Sequence, residues 1–197
     1  TGEAVQLLQP FHRRNPADEA TLVALASALN ADGRALEAAQ GEWVLVADAD
    51  VHLAPRALER AMSFALDQDL ELLTALPSVD AAGIVVDSAL LGMGPSFVLG
   101  SRFAEARRAD NERGMGIGAF LLMKRAALLR DPGLEWLKLE VADDVAYGAL
   151  VKKGGGRVDA VVAGREVHLV WYASYRDMVR KMQKNWYAIL GRFSALR

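Results

Sequence analysis

The sequence predicts an α/β domain in which a sheet is flanked by helices, and three observations predict it. Residues 43–47, Trp43-Val44-Leu45-Val46-Ala47, form an apolar run bounded by Gly41 and by acids, the pattern of a buried strand. Pro55 then opens a segment in which Leu58, Met62, Ala65 and Leu66 share one helical stripe and Glu59 faces the other way, so strand, acidic loop and helix follow in order. Short apolar runs and amphipathic stretches go on alternating to the end of the chain.

Residues 1–40 read as helical. An apolar-periodic piece over 2–9 is stopped by Pro10. Asn15-Pro16 supplies an N-cap with proline at the first helical position, Asp18 and Glu19 stand in the first turn, and Leu22, Leu25, Ala26 and Leu29 keep helical spacing. Residues 30–33 close that helix, and a further short one is expected over 34–40. This part suggests no chemistry, and His12, Arg13 and Arg14 read as a solvated loop.

The strand at 43–47 carries Asp48 and Asp50 out at its C-terminal end, where open α/β sheets bind ligands. Both carboxylates can reach one divalent cation if the chain turns there, and hard oxygen ligands suit Mg²⁺ or Mn²⁺, which would in turn hold a phosphate. Asp-x-Asp is a weak signal by itself, and the same acids equally suit a turn that caps the next helix.

Further along, a strand is expected over 70–76, ended by Pro77, and a short one over 84–86. Residues 88–100 mix apolar side chains with Gly92, Gly94, Pro95 and Gly100, the pattern of a broken helix or of a loop on an apolar surface. Charges alternate over 102–113, as on an exposed face or a mobile loop near the site.

Gly114-Met115-Gly116-Ile117-Gly118-Ala119-Phe120 precedes the apolar strand Leu121-Leu122-Met123. Alternating glycines there imply that backbone closely approaches a ligand or another chain segment. A strand follows instead of a helix opened by Lys-Ser/Thr, which excludes a P-loop, and the glycine pattern is too weak for a dinucleotide fold.

Asp143 and Asp144 then open a helix with Val145, Ala149 and Leu150 on one face. The two acids read either as an N-cap or, because crowded acids raise one another's pKa, as a general base and its partner. Residues 152–156 end that helix, and 157–162 and 167–171 read as two strands. The second carries His168, and a lone histidine on a strand is more often structural than a ligand. From Ser174 a long amphipathic helix sets Met178, Met182, Trp186, Ile189 and Phe193 on one stripe, with Arg176, Arg180, Lys181, Lys184 and Arg192 largely off it. Such a basic helix packs on its own domain or lies on an anionic membrane surface.

Composition bounds these readings. A chain of 197 residues, 52% hydrophobic and with a formal net charge of −2, suits one globular domain with a sizeable core. The acidic balance argues against a general nucleic-acid binder. Cysteine is absent, which excludes disulfides, a thiolate metal site and a cysteine nucleophile, and fits a reducing compartment. The longest apolar stretch, residues 84–99, contains Asp87 and glycines and falls short of the ~20 residues a spanning helix needs, so neither a transmembrane segment nor a signal peptide is expected.

Three segments, in order, resemble the inverting family-2 glycosyltransferases of the GT-A fold: Gly-Glu-Trp-Val-Leu-Val-Ala-Asp-Ala-Asp (41–50), Gly-Ile-Gly-Ala-Phe-Leu-Leu-Met-Lys-Arg-Ala-Ala-Leu (116–128) and Val-Ala-Asp-Asp-Val-Ala-Tyr-Gly-Ala-Leu-Val-Lys-Lys-Gly-Gly (141–155). The likeness covers roughly residues 29–186, and is greatest to the bacterial ceramide-glucosyltransferase-like and membrane-associated branches. It implies a GT-A-like, nucleotide-diphospho-sugar-transferase fold, a mixed sheet flanked by helices. By that correspondence Asp50 ligates Mg²⁺ or Mn²⁺, and Asp48 contacts the nucleotide sugar or completes the metal site. Asp144, beside Asp143, deprotonates the acceptor hydroxyl. Gly116, Gly118 and Ala119 line the donor-sugar or acceptor site.

The chain departs from that family pattern in two places. Relatives commonly close this region with Gln/Arg-x-x-Arg-Trp, whereas here Met182 holds the first place and Asn185 precedes Trp186, so only the tryptophan fits. Lys184-Asn185 is similar to a Lys-Asn variant, which sets Lys184 and Trp186 on the acceptor side. The apolar strand with Pro-x-x-Asn-Glu and the Asp-Asp-x-Ser nucleobase segment are not found in residues 1–40, so the chain reads as a fragment, a truncation or a diverged form. The implied partners are a nucleotide-sugar donor, a UDP-sugar foremost, and a lipid or glycan acceptor, met by peripheral contact at the cytoplasmic membrane face. Two other readings use the same parts. A haloacid-dehalogenase-like phosphatase would make Asp48 the nucleophile and Asp50 the acid, although Val51-His52 departs from that pattern. A non-catalytic GT-A-like remnant would keep the acids as caps and bind a membrane or a partner through its basic helix.

Overall fold

The computed structural model describes residues 41–100, 103–110, 114–131, 133–139 and 143–189. The helices expected over residues 1–40 lie outside them. A five-stranded mixed sheet runs in the order β1-β4-β3-β5-β2, with β1 (Trp43–Val46), β2 (His52–Leu53), β3 (Leu72–Val79), β4 (Leu121–Lys124) and β5 (Val158–Leu169). β3 pairs parallel with β5, while β1 with β4, β4 with β3, and β2 with β5 pair antiparallel. The helices are α1 (Ala57–Asp67), α2 (Ile84–Gly100), α3 (Arg125–Leu128), α4 (Asp143–Lys153) and α5 (Tyr175–Ile189). The fold class is the expected one, a mixed α/β sheet flanked by helices.

β1 and β4 are covered on both faces, which is why they read as unbroken apolar runs. Val44, Val46, Leu121 and Met123 face a core completed by Ala127 and Leu128 of α3 and by Tyr147, Leu150 and Val151 of α4. Trp43, Leu45, Leu73 and Leu122 face the opposite core, with Ala65 of α1 and Val167 of β5. Alternate residues of β1 thus enter different cores, as the period of two requires.

Several elements differ from the sequence reading, each for a physical reason. β3 continues through Pro77 to Val79, because the imide nitrogen sits at a register shift opposite Gly164. Gly164 takes φ of 54°, so β5 bends there and stays one strand where two were expected. The β-branched run Ile84-Val85-Val86 is helical, not a strand. Gly83 and the Asp87 carboxylate, which accepts from Ala82 N at 3.0 Å, start α2, and Val86 packs on Tyr172 and Met178, so packing overrides local propensity. α2 then runs on through Pro95. α4 buries Ala146, Tyr147, Leu150 and Val151, leaving Val145 exposed, and on α1 Leu66 is exposed too. Met178 is buried and Met182 half-buried as expected of α5, whereas the side chains of Trp186 and Ile189, and all of Phe193, fall outside the described ones. β2 had no counterpart in the sequence reading, since two residues carry no periodicity.

Candidate active site

The end of β1, the glycine loop and the start of α4 meet at Gly118. The backbone N–H of Asp48 donates to the Gly118 carbonyl at 3.1 Å, and Gly118 N–H donates to Asp144 Oδ2 at 3.2 Å. A Cβ on Gly118 would stand 3.2 Å from Asp48 Oδ2, so the Asp48 carboxylate lies directly against that α-carbon. Asp144 Oδ1 also accepts from Val145 N–H at 2.8 Å, within the first turn of α4. One glycine therefore touches the carboxylates of both Asp48 and Asp144.

Glycine is required along this loop by close approach. A Cβ on Gly116 would overlap the Asp144 carbonyl, and one on Gly148 would overlap the backbone of Met115. Gly114 turns into the loop at φ 65°. The loop therefore lies directly on α4. From behind, fully buried Thr74 on β3 ties the loop to the sheet: its hydroxyl accepts from Ile117 N–H at 2.9 Å and donates to the Phe120 carbonyl at 3.0 Å. The sequence signal for this was one polar residue inside the run Leu72-Leu73-Thr74-Ala75-Leu76.

Beyond Asp48 the chain turns, with Val51 N–H donating to the Asp48 carbonyl at 3.2 Å. A cavity of about 430 Å³ opens there, lined by Asp48, Ala49, Asp50, Leu169, Trp171 and Lys181. Neither aspartate caps α1, whose N-cap is Arg56, in a left-handed conformation and without a side-chain cap. Lys181 and Trp171 were not among the residues expected at the site. Lys181 is held by Asp177 one turn earlier, at 3.1 Å. That lysine is the first cause of the Asp177 carboxyl lying below its ordinary value; burial opposes the shift and the Ala173 N–H adds to it.

The other expected residues fall as follows. Gly116 and Ala119 are buried, Ala119 in a cluster with Met115, Ile117 and Leu169. The side chains of Asp143, Lys184 and Trp186 lie outside the described ones, although all three residues belong to described helices. His168 has the structural role expected of it: its Nδ1 pairs with Asp80 Oδ2 at 2.8 Å and its ring stacks on His52 across the β2–β5 pairing.

Among the described residues no group of three His, Cys, Asp or Glu side chains gathers to hold a metal ion. Mg²⁺ is commonly held by one or two carboxylates together with substrate phosphates, and Asp48 and Asp50 on one open cavity fit that donor set.

The family model for glycosyl transferase family 21 matches residues 4–184. The chain belongs to glycosyl transferase family 21. This membership sets aside the phosphatase reading, and it agrees with the family-2 resemblance at the level of glycosyl transfer. No curated protein matches the chain. Among solved structures, TarS of S. aureus (residues 1–349) is 19% identical with a TM-score of 0.44, over 70% of this chain and 38% of that one. Mannosyl-3-phosphoglycerate synthase of Rubrobacter xylanophilus is 17% identical with a TM-score of 0.41, over 82% and 49%. Glucosyl-3-phosphoglycerate synthase of Mycobacterium tuberculosis, solved with Mg²⁺ and UDP, is 13% identical with a TM-score of 0.39, over 77% and 52%. This family-21 chain thus spans about two fifths to one half of the length of the structures it resembles.

Proposed function

We propose that this domain transfers a sugar, with inversion, from a nucleoside-diphosphate sugar to an acceptor hydroxyl. The observation that carries the reading is the clasp at Gly118, whose N–H is bonded to the Asp144 carboxylate and whose α-carbon lies against the Asp48 carboxylate of the Asp48–Asp50 cavity. Asp144 takes the proton from the acceptor hydroxyl as that oxygen attacks the anomeric carbon, opposite the departing diphosphate. Lys181 draws the diphosphate into the cavity, and Trp171 offers an apolar face to the sugar or the base. Asp50, with Asp48, supplies the oxygens that Mg²⁺ or Mn²⁺ takes, and the bound cation would offset charge on the leaving group. A UDP-sugar is the donor and a lipid of the ceramide kind the acceptor, reached at the cytoplasmic membrane face. The exposed Arg176 and Arg180 of α5 support an anionic surface as the partner there.

Calorimetry tests the donor site. UDP-glucose should bind in the presence of Mn²⁺, more tightly than GDP-mannose, and chelation or Asp50→Ala should weaken it at least about tenfold, the loss expected when a metal–phosphate link goes. Absence of binding by the unaltered chain would sink the transferase reading and favour a non-catalytic remnant.

A further inference from the structure

Besides Lys181, the cavity is lined from two stretches of chain: the turn at residues 48–50, and Leu169 with Trp171 at the end of β5. What ties the first stretch to the second is β2, which begins two residues after Asp50 and pairs with β5. Its ladder consists of two pairs, His52 with His168 and Leu53 with Val167. A ladder that short is weak by itself. The end of β2 away from the turn is reinforced by backbone, since Ala54 N–H donates to the Glu166 carbonyl at 2.9 Å. The end next to the turn is reinforced by side chains. There the rings of His52 and His168 stack, their centroids 5.3 Å apart and their planes inclined by 25°, as directly opposed residues of an antiparallel pair can.

Asp80 gives the stack its direction. Standing next after β3, it donates its N–H to the Leu169 carbonyl at 2.8 Å, and its Oδ2 pairs with His168 Nδ1 at 2.8 Å. One residue thus grips β5 at two consecutive positions, and the ring it holds is the one on which His52 rests. Val51 also packs in the cluster of Leu169, but apolar contact is non-directional, whereas a ring bonded at one nitrogen is fixed in orientation. His52, His168 and Asp80 do not themselves gather as a metal site among the described residues.

We infer that the His52–His168 stack, braced by Asp80, sets the position of Asp50 and makes both histidines positioning residues for the metal-held diphosphate. A cation shared by Asp48 and Asp50 needs both carboxylates to stay within about 2.1 Å of it. Residues 48–50 are exposed, so little packing holds them, and the attitude of the turn toward β5 is left to β2. Without the stack, β2 keeps its backbone bond at Ala54 but loses the side-chain contact nearest Asp50. The inference rests on the transferase reading for the identity of the ligand, while metal binding tests it without turnover.

The test uses the whole chain and reads Mn²⁺ binding by water-proton relaxation, with and without UDP, beside thermal melts. His52→Ala should weaken Mn²⁺ binding about fivefold, the scale of one cross-strand ring pair. His52→Phe keeps a flat ring against His168 and should stay within about twofold of the parent. Asp80→Ala leaves both rings in place and should weaken binding as His52→Ala does. The two changes together should do little more, since they remove one device. Asp80→Ala also carries the test should His52→Ala fold poorly. Calorimetry of UDP with a chelator present should give one affinity for parent and variants, because the stack serves the metal. Parent-like Mn²⁺ binding in both alanine variants would overturn the inference and leave the stack a part in stability alone, read as a lowered Tm. So would equal losses of UDP affinity with the chelator present, which would assign the stack to the cavity at large. So would Mn²⁺ binding that survives Asp50→Ala and disappears in His52→Ala, since the histidines would then be ligands. A parent that binds no Mn²⁺, with or without UDP, would overturn this inference together with the metal-held donor. The expected losses of Mn²⁺ binding in a chain that takes up no UDP-glucose would count against the transferase reading and leave this one standing.

Discussion

At the scale of single residues, two glycines two positions apart carry different loads. A methyl on Gly116 meets the Asp144 carbonyl, which is backbone and cannot yield, so Gly116→Ala should cost about 2–3 kcal/mol through displaced backbone. A methyl on Gly118 meets the Asp48 carboxylate at 3.2 and 3.4 Å, and a side chain can move aside by a few tenths of an ångström. Gly118→Ala should therefore melt within about 2 °C of the parent, yet bind UDP-glucose with Mn²⁺ several-fold more weakly, because the carboxylate it displaces lines the proposed donor cavity. Thermal melts and calorimetry on the two variants separate these outcomes, and equal behaviour would mean that the loop has no functional face. The sequence exposed the glycine alternation but not this division. Which glycine meets backbone and which meets a carboxylate depends on α4 and β1, which lie 25 or more residues away along the chain in either direction.

At the scale of elements, the chain was most legible where one feature decides. β1, β4, α1 and the start of α4 follow from apolar runs and helix-start signals read locally. It was least legible where a partner decides. Val86 becomes helical because it packs on α5, and β5 stays whole because Gly164 bends opposite Pro77. The start of α5 is a local device that the sequence does show. Ser174 Oγ accepts from Asp177 N–H at 3.2 Å and Asp177 Oδ2 accepts from Ala173 N–H at 3.2 Å, a variant of the capping box. Ser174→Ala should cost about 1 kcal/mol and lower Tm by roughly 2–4 °C in a chain of this size. Asp177 adds a pH dependence whose sign is fixed. Its folded pKa is depressed, first by the bond from Lys181, so its contribution is complete above the ordinary carboxylate value and is lost as pH falls through the depressed one. A melt series taken downward in pH should show the difference between the parent and Asp177→Asn shrinking below about pH 4. A difference that holds constant to lower pH would remove Asp177 as the titrating group.

At the scale of the whole molecule, the site exists only because three stretches far apart in sequence are brought together at one glycine. β3 is central to that convergence, since Thr74 ties the loop from behind while β4 and β5 flank the same strand. In the proposed reaction this convergence separates binding from chemistry. Asp48 and Asp50 line the cavity, whereas Asp144 reaches the site through its bond to Gly118 N–H. Asp144→Asn keeps a carbonyl oxygen that can accept that N–H, so loop and cavity should hold their shape, but an amide has no basic oxygen to receive a proton. UDP-glucose affinity should therefore stay within about threefold of the parent. Release of UDP, to water or to a short-chain ceramide, should fall by about 10²–10⁴, the usual contribution of a general base. Asp50→Ala should lose affinity and turnover together. Full turnover by Asp144→Asn would reduce that residue to a helix-start acid. Equal loss of affinity in both variants would show that the clasp at Gly118 serves the donor cavity and that the base lies elsewhere.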